Sequence, residues 1–334
     1  MPRKLILFLI VSCLFCLSLY SQDNNATTVQ ALGENLYAIT GLDQGNAAFL
    51  VTEKGVLVVD AGAIGFGGRT IVQEIAKKTT QPIRFVILTH HHFDHTGGLQ
   101  AFPSTAIVVA QEQLPAMYQK RVVERVPEYV EQTNAEIADL QKKSAEEKKP
   151  EELAKLKQNI RQDQDFLKEL QTFKPVYPEI TFNERLAIVL GQEKVEIFFP
   201  GPGHTNDNSV VYFPRQKVVH AGDLIFNGSY PYIMRKSGAN TEGWIADLNE
   251  ILKLDAGKVI PGHGAIGDKE IVKQQIAYLS DLRSAVAEAA AKGTTLEVLK
   301  KSISLPAWKR LGSPEMLPAN VEAVYSEMTE AAKK

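Results

Sequence analysis

Cysteine is almost missing from this chain: there are two in 334 residues, Cys13 and Cys16, and both fall in an apolar run near the N-terminus. Beyond that run a disulfide framework and a cysteine-ligated metal site are excluded. Net charge is small as well, at −2, so no general electrostatic attraction to nucleic acid or acidic membranes exists and partners must be sought in local sites. Nucleotide loops are missing too. Gly65-Phe66-Gly67 has neither the glycine spacing of a dinucleotide fingerprint nor the Gly-Lys-Ser/Thr of a phosphate loop. The apolar run, residues 5–19, follows Met1-Pro2-Arg3-Lys4 and ends in Tyr20-Ser21-Gln22-Asp23. A basic start, an apolar stretch too short to span a bilayer comfortably and a small residue before a polar segment describe a secretory signal peptide over 1–21. The mature chain, 22–334, is then expected to be periplasmic or secreted. An uncleaved anchor is the alternative, and Ile10-Val11-Ser12-Cys13 loosely resembles a lipoprotein box, so the mature chain is expected off the membrane unless lipidated.

What is present begins with enough apolar residues, 44 %, for a sizeable core. Strands are expected at 36–40, 47–52 and 55–60, after a polar stretch, and again at 83–88 and 106–110, with a helix at 69–78. From 111 to 173 the chain is rich in Lys, Glu and Gln and contains no glycine. Two apolar seams there, Val123 to Leu140 and Leu153 to Leu170, predict a self-paired helical hairpin turning between 142 and 151. Strands resume at 187–190, 195–199, 209–213 and 217–220. Helices are expected at 269–291, 294–302 and 320–328, packing on the core without chemistry of their own.

Chemistry is densest in Thr89-His90-His91-His92-Phe93-Asp94-His95, on a turn between the apolar strand at 83–88 and Thr96-Gly97-Gly98-Leu99, which can open a helix. His90 and His92, two apart in an extended segment, point the same way and can share one ion. Asp94 and His95 lie past the bend and aim at a neighbouring point. The remaining histidines, three of seven, stand in Gly203-His204-Thr205, His220-Ala221-Gly222-Asp223 and Gly262-His263-Gly264. Asp60 ends an apolar strand, where an unpaired carboxylate would be costly, and is expected to support the turn by accepting its backbone N–H groups.

This ordered set, with Asp223 as its acidic member, resembles the metallo-β-lactamase superfamily of metal-dependent hydrolases over roughly residues 30 to 275. The resemblance implies an α/β fold, a four-layer αββα sandwich, here with the helical hairpin inserted in a single catalytic domain. It also implies two Zn²⁺ per chain: His90, His92 and His204 on the first, Asp94, His95 and His263 on the second, and Asp223 bridging. The implied reaction is attack by a hydroxide between the ions on an amide or ester bond of a small molecule, a β-lactam-like, lactone or thioester substrate, with Asp94 orienting the nucleophile. The two-zinc β-lactamases that the His204 segment resembles have Cys in place of Asp223, Arg in place of His95, and a carboxylate-binding Lys in place of Phe226. Glyoxalase II-like thioesterases, lactone hydrolases and tRNA-processing phosphodiesterases share the His95 and Asp223 pattern, and secretion argues against tRNA. An iron-dependent sulfur dioxygenase, a phosphodiesterase and a non-catalytic metal-binding protein are the rival readings. His91 and His220 have no role in the resemblance; the first is read as an exposed or hydrogen-bonded turn residue, the second as a strand residue facing away from Asp223. Asn208, Tyr230, Tyr232, Arg235 and Trp244 are expected to wall the substrate pocket.

Overall fold

The computed structural model describes residues 27–42 and 45–331; the expected signal peptide and lipoprotein box lie outside them. The chain forms two compact units, one of residues 125–172 and one of 27–124 with 173 onward.

In the larger unit, β1 Thr28–Ala31, β2 Leu36–Thr40, β3 Ala47–Thr52 and β4 Gly55–Val59 form an antiparallel meander. The chain then runs through α1 Phe66–Ala76, β5 Ile83–Ile87, α2 Phe93–Thr96, β6 Ile107–Gln111 and α3 Leu114–Arg121. After the smaller unit come β7 Ile180–Phe182, β8 Arg185–Leu190, β9 Glu193–Phe198, β10 Val210–Phe213, β11 Val218–His220 and β12 Phe226–Asn227. One sheet has the order β1-β2-β3-β4-β5-β6-β7, parallel from β4 onward. The second runs from β8 through β9, β10 and β11 to β13 Lys258–Ile260, antiparallel except for the last pair.

Alternation along the strands of the first sheet assigns its two faces. Ala38, Ala48, Leu50, Leu57, Val59, Ile87 and Val109 point at Ile188, Val195, Ile197, Val211 and Phe213 of the second sheet and form the inter-sheet core. Ile39, Phe49, Val56, Val58, Val86, Val108 and Ala110 point the other way and are covered by Ile71 and Ile75 of α1 and by Leu114 and Tyr118 of α3. Both faces being apolar explains why these strands read as continuous apolar runs. A helix at Thr241–Lys253 (α6) and a long one at Lys269–Ala291 (α7) pack together, and α7 also meets β13. The layers are thus helices, sheet, sheet, helices. Among the described residues no helix is long and apolar enough to cross a membrane.

Several boundaries differ from the sequence reading. The helix after the histidines starts at Phe93, with His92 as its cap and the N–H groups of His95 and Thr96 on the His92 carbonyl, and continues as a 3-10 turn over Gly97–Ala101. Asp94 and His95 therefore stand in a helical turn instead of ahead of one. The polar stretch before β2 contains an edge strand, β1. Leu114, Tyr118 and Val122 bury their side chains in the larger unit, so the helical pair begins only at 125. Two more helices, α8 Leu296–Ser302 and α9 Leu317–Ala331, follow α7.

The smaller unit is α4 Val126–Glu146 paired with α5 Pro150–Gln171. Pro150 at the first helical position shortens the turn to 147–149. The seam buries Tyr129, Thr133, Ile137 and Leu170, and also Asp163. Burial, with Glu136 nearby, pushes the Asp163 carboxyl up to about 6. In the unfolded chain an aspartate ionises near pH 4, so the folded form is favoured at low pH and loses that advantage as pH rises through 6. Asp163→Asn should therefore raise the thermal unfolding midpoint above about pH 6 and leave it unchanged below about pH 4. Melting curves across that range check it.

Candidate metal centre

The histidine turn follows the carboxyl end of β5, beside the carboxyl end of β4, where Asp60 turns with φ 62°. The Asp60 amide bonds the Ile87 carbonyl at 2.8 Å, and its fully buried carboxylate faces the turn. Oδ1 accepts from the Thr89 amide at 2.8 Å, and Oδ2 accepts from the Thr89 hydroxyl at 2.8 Å. Oδ2 also lies 2.8 Å from His95 Nδ1. A proton held on Nδ1 by that contact leaves Nε2 of His95 as the free donor atom. Gly45 passes so close to this ring that a Cβ there would overlap it.

Seven side chains converge from four segments. Asp223 Oδ2 lies 3.7 Å from His90 Nε2, 3.4 Å from His204 Nε2 and 3.3 Å from His263 Nε2, while its Oδ1 lies 3.0 Å from His95 Nε2. His92 Nδ1 is 3.0 Å from His204 Nε2. Asp94 Oδ2 is 3.2 Å from His263 Nε2 and 3.4 Å from His95 Nε2. Two groups result, His90 with His92, His204 and Asp223, and Asp94 with His95, Asp223 and His263, each having its ligand atoms within 4.8 Å of one another. Nε2 of His90 and of His95 and Oδ1 of Asp223 are buried with no aligned hydrogen bond. Buried polar atoms left without a hydrogen bond are costly, and a cation between them removes that cost. The donor set, imidazole nitrogens and carboxylate oxygens, fits such ions.

Protonation differs between the groups. Burial holds His90 and His92 well below the ordinary imidazole range and brings His204 down to about 4. Burial also lowers His95 and His263, but the carboxylates Asp223 and Asp94 outweigh it, raising His95 well above its usual value and His263 to about 10. Desolvation would raise Asp94 and Asp223; the neighbouring imidazoles, His95 for the first and His263 for the second, instead hold both well below the usual carboxylate range.

Of the expected pocket residues, Tyr232 has its ring 6.4 Å from that of His92. The others are buried or already engaged within the chain. Asn208 is buried, accepts from the amide and hydroxyl of Thr205 and donates to the carbonyls of Thr205 and Gly201, so it braces the His204 loop. Trp244 is fully buried behind the centre, donating to the Leu224 carbonyl with its ring 5.1 Å from His204. Tyr230 is buried against Tyr278. Arg235 is tied to the Ala239 carbonyl and to Glu330. His220 is buried on β11, accepting from the Gly222 amide, and belongs to neither group.

Three further residues support the centre; Ser237 and Asn46 carry no signal that sequence reasoning could use, and Phe226 is notable there only for standing in place of a Lys. Ser237, buried, donates to Met234 Sδ and lies 3.1 Å from His92 Nε2, so its oxygen accepts from the Nε2 N–H and leaves Nδ1 of His92 as the inward-facing donor atom. Asn46 bonds the carbonyls of Pro261 and Gly264 on either side of His263. Phe226 stacks on His263, with ring centroids 4.9 Å apart and 9° between planes, through the short pairing of β12 with β14 His263–Gly264.

The family model of the metallo-β-lactamase superfamily matches residues 40–263. Among curated proteins, the chain is 24 % identical over 259 residues to the metallo-β-lactamase type 2 of Bacillus sp. (strain 170), covering 75 % of this chain and 81 % of that one. It is 22 % identical to the metallo-β-lactamase type 2 of Elizabethkingia meningoseptica, covering 79 % and 90 %. Among solved structures, a metallo-β-lactamase from Pontibacter korlensis shares the fold with TM-score 0.56 and 19 % identity, over 77 % of this chain and all of that one. A double mutant of the sec-alkyl sulfatase PisA1 shares it with TM-score 0.70 and 15 % identity, over 91 % of this chain and 50 % of that one.

Metal ligands must be deprotonated, so the two groups should fill with different proton counts. Loading the Asp94, His95 and His263 side should release about two protons near neutral pH, from His95 and His263, and its affinity should fall steeply on acidification. Loading the His90, His92 and His204 side should release almost none. Calorimetric metal titrations in buffers of different ionisation enthalpy measure both counts, and equal release from the two steps would contradict the assignment.

Proposed function

Because the chain belongs to the metallo-β-lactamase superfamily, whose members are metal-dependent hydrolases, we propose that it hydrolyses an amide or ester bond of a small molecule, a β-lactam-like, lactone or thioester substrate. Residues 22–334 would act as one catalytic domain, exported by the leader at 1–21. The observation that carries the reading is the pair of thiolate-free ligand groups joined by one buried carboxylate, Asp223. Imidazole and carboxylate donors, with few enough groups to leave coordination positions open, suit two Zn²⁺. When bound, such ions supply carbonyl polarisation and a nucleophile at neutral pH.

The chain's own groups divide the remaining work. Asp60, Thr89 and Ser237 fix which nitrogen of His95, His90 and His92 faces the centre. Asp94 is the carboxylate at the mouth, its side chain 24 % exposed where that of Asp223 is 3 %. Held ionised, it can orient an attacking water and accept a proton at a carboxylate oxygen. Phe226 presents an apolar ring against His263 and His204, so a substrate carboxylate finds no cation at that position.

The test joins metal analysis to turnover of β-lactams, lactones, thioesters and phosphodiesters. An alkyl sulfate belongs in the panel, since the fold is shared with a sec-alkyl sulfatase over most of this chain. Asp223→Ala should lose an ion and at least about 100-fold in kcat/KM. Asp223→Cys should keep metal and raise the ratio of β-lactam to lactone turnover, and adding Phe226→Lys should raise it further by giving a substrate carboxylate a partner. Two ions and full activity in Asp223→Ala would contradict the reading. Stoichiometric iron with dioxygen uptake on a persulfide would move the chain to the sulfur dioxygenases.

A further inference from the structure

His91 stands between two residues of the first ligand group and belongs to neither group. Its ring is nevertheless fully buried, with Nδ1 2.8 Å from Oδ1 of Asp207, which is also fully buried. The other polar atoms of the pair, His91 Nε2 and Asp207 Oδ2, have no hydrogen-bond partner among the described residues. Each side chain therefore has the other as its hydrogen-bonding counterpart in a place where an unpartnered polar atom is costly. The contact spans 116 residues. One end lies between His90 and His92, and the other lies three residues after His204.

These two segments supply all three imidazoles of the first group. On one side they are tied by a backbone bond, Ser209 N–H to the Thr89 carbonyl at 2.6 Å. His91 and Asp207 tie them again, and the His91 ring packs edge-on at 4.8 Å against that of His92. Across the gap, His92 Nδ1 and His204 Nε2 sit 3.0 Å apart. Metal–ligand distances tolerate shifts of only about 0.2 Å, so a small slide of one segment past the other would spoil the site.

We propose that the His91–Asp207 pair is a positioning clasp that sets the separation of His90 and His92 from His204 for the first ion. Neither residue touches the ion or the substrate. The inference rests on the two-metal reading above, and it excludes the alternative in which the pair merely fills space.

Cadmium NMR of protein loaded with cadmium alone, with chelator competition, reads the two groups separately and without turnover. Asp207→Ala should weaken the first group by about 10- to 100-fold and leave the second within about threefold. Asp207→Asn should restore most of the loss, because its amide oxygen still accepts from His91. The double variant His91→Leu with Asp207→Leu fills the space without leaving a polar atom stranded and should stay folded, yet show the same selective loss; it decides the matter whatever becomes of Asp207→Ala. First-group affinity equal to the wild type in the double variant, or parallel weakening of both groups, overturns the clasp. A wild-type chain that holds two ions while every variant does the same sinks the clasp alone, whereas a wild-type chain that holds none sinks the two-metal reading with it.

Discussion

Four imidazoles converge on one buried carboxylate, and the surrounding structure is arranged to hold them there. His90, His95, His204 and His263 all place a ring nitrogen within 3.7 Å of Asp223, which is 4 % exposed. Burying so many polar groups together carries a desolvation cost. The segments that carry the ligands each follow the carboxyl end of a strand. His90 follows β5, His204 follows β9, Asp223 follows β11 and His263 follows β13. The centre therefore sits along one rim of the two-sheet sandwich, fed by both sheets, and Gly262 leaves Asp223 its place because a Cβ there would overlap Oδ1.

Orientation is settled one step further out. Asp60 fixes His95 and, through Thr89, the start of the turn; Ser237 fixes His92; Trp244 closes the space behind His204. These supports reach the centre from distant parts of the chain. Asn320 on α9 bonds the Pro231 carbonyl and the Ile233 amide, and Gly312 pairs with Gly228 and Tyr230, so the C-terminal segment holds the loop that carries Tyr232 and Ser237. Helices that bear no ligand thus contribute to the geometry of the ligands.

Much of this was legible in the sequence, for physical reasons. Strands buried on both faces are apolar runs, and Val56 to Val59 can hardly be read otherwise. The spacing of His90, His92, Asp94 and His95 carries direct information about direction, because extended residues two apart share a side. Asp60 was readable because a carboxylate at the end of an apolar strand demands a partner. The internal engagements of the expected pocket residues were not readable. Asn208, Trp244 and Arg235 look like substrate contacts in a list of polar and aromatic residues, and only the fold reveals that each is already engaged. Trp244 in particular belongs to α6, whose Asn240 cap and apolar face of Leu248 and Ile251 were overlooked beside the aromatic stretch before it. Ser237 was beyond reach, since its partner His92 lies 145 residues away.

The central claim, that Asp223 joins two ions, is tested most directly by anomalous X-ray scattering at the zinc edge from crystals grown with added zinc. The account predicts two peaks, one against His90, His92 and His204 and the other against Asp94, His95 and His263, with a carboxylate oxygen of Asp223 within about 2.2 Å of each. A single peak, or a second peak that Asp223 does not touch, would contradict it.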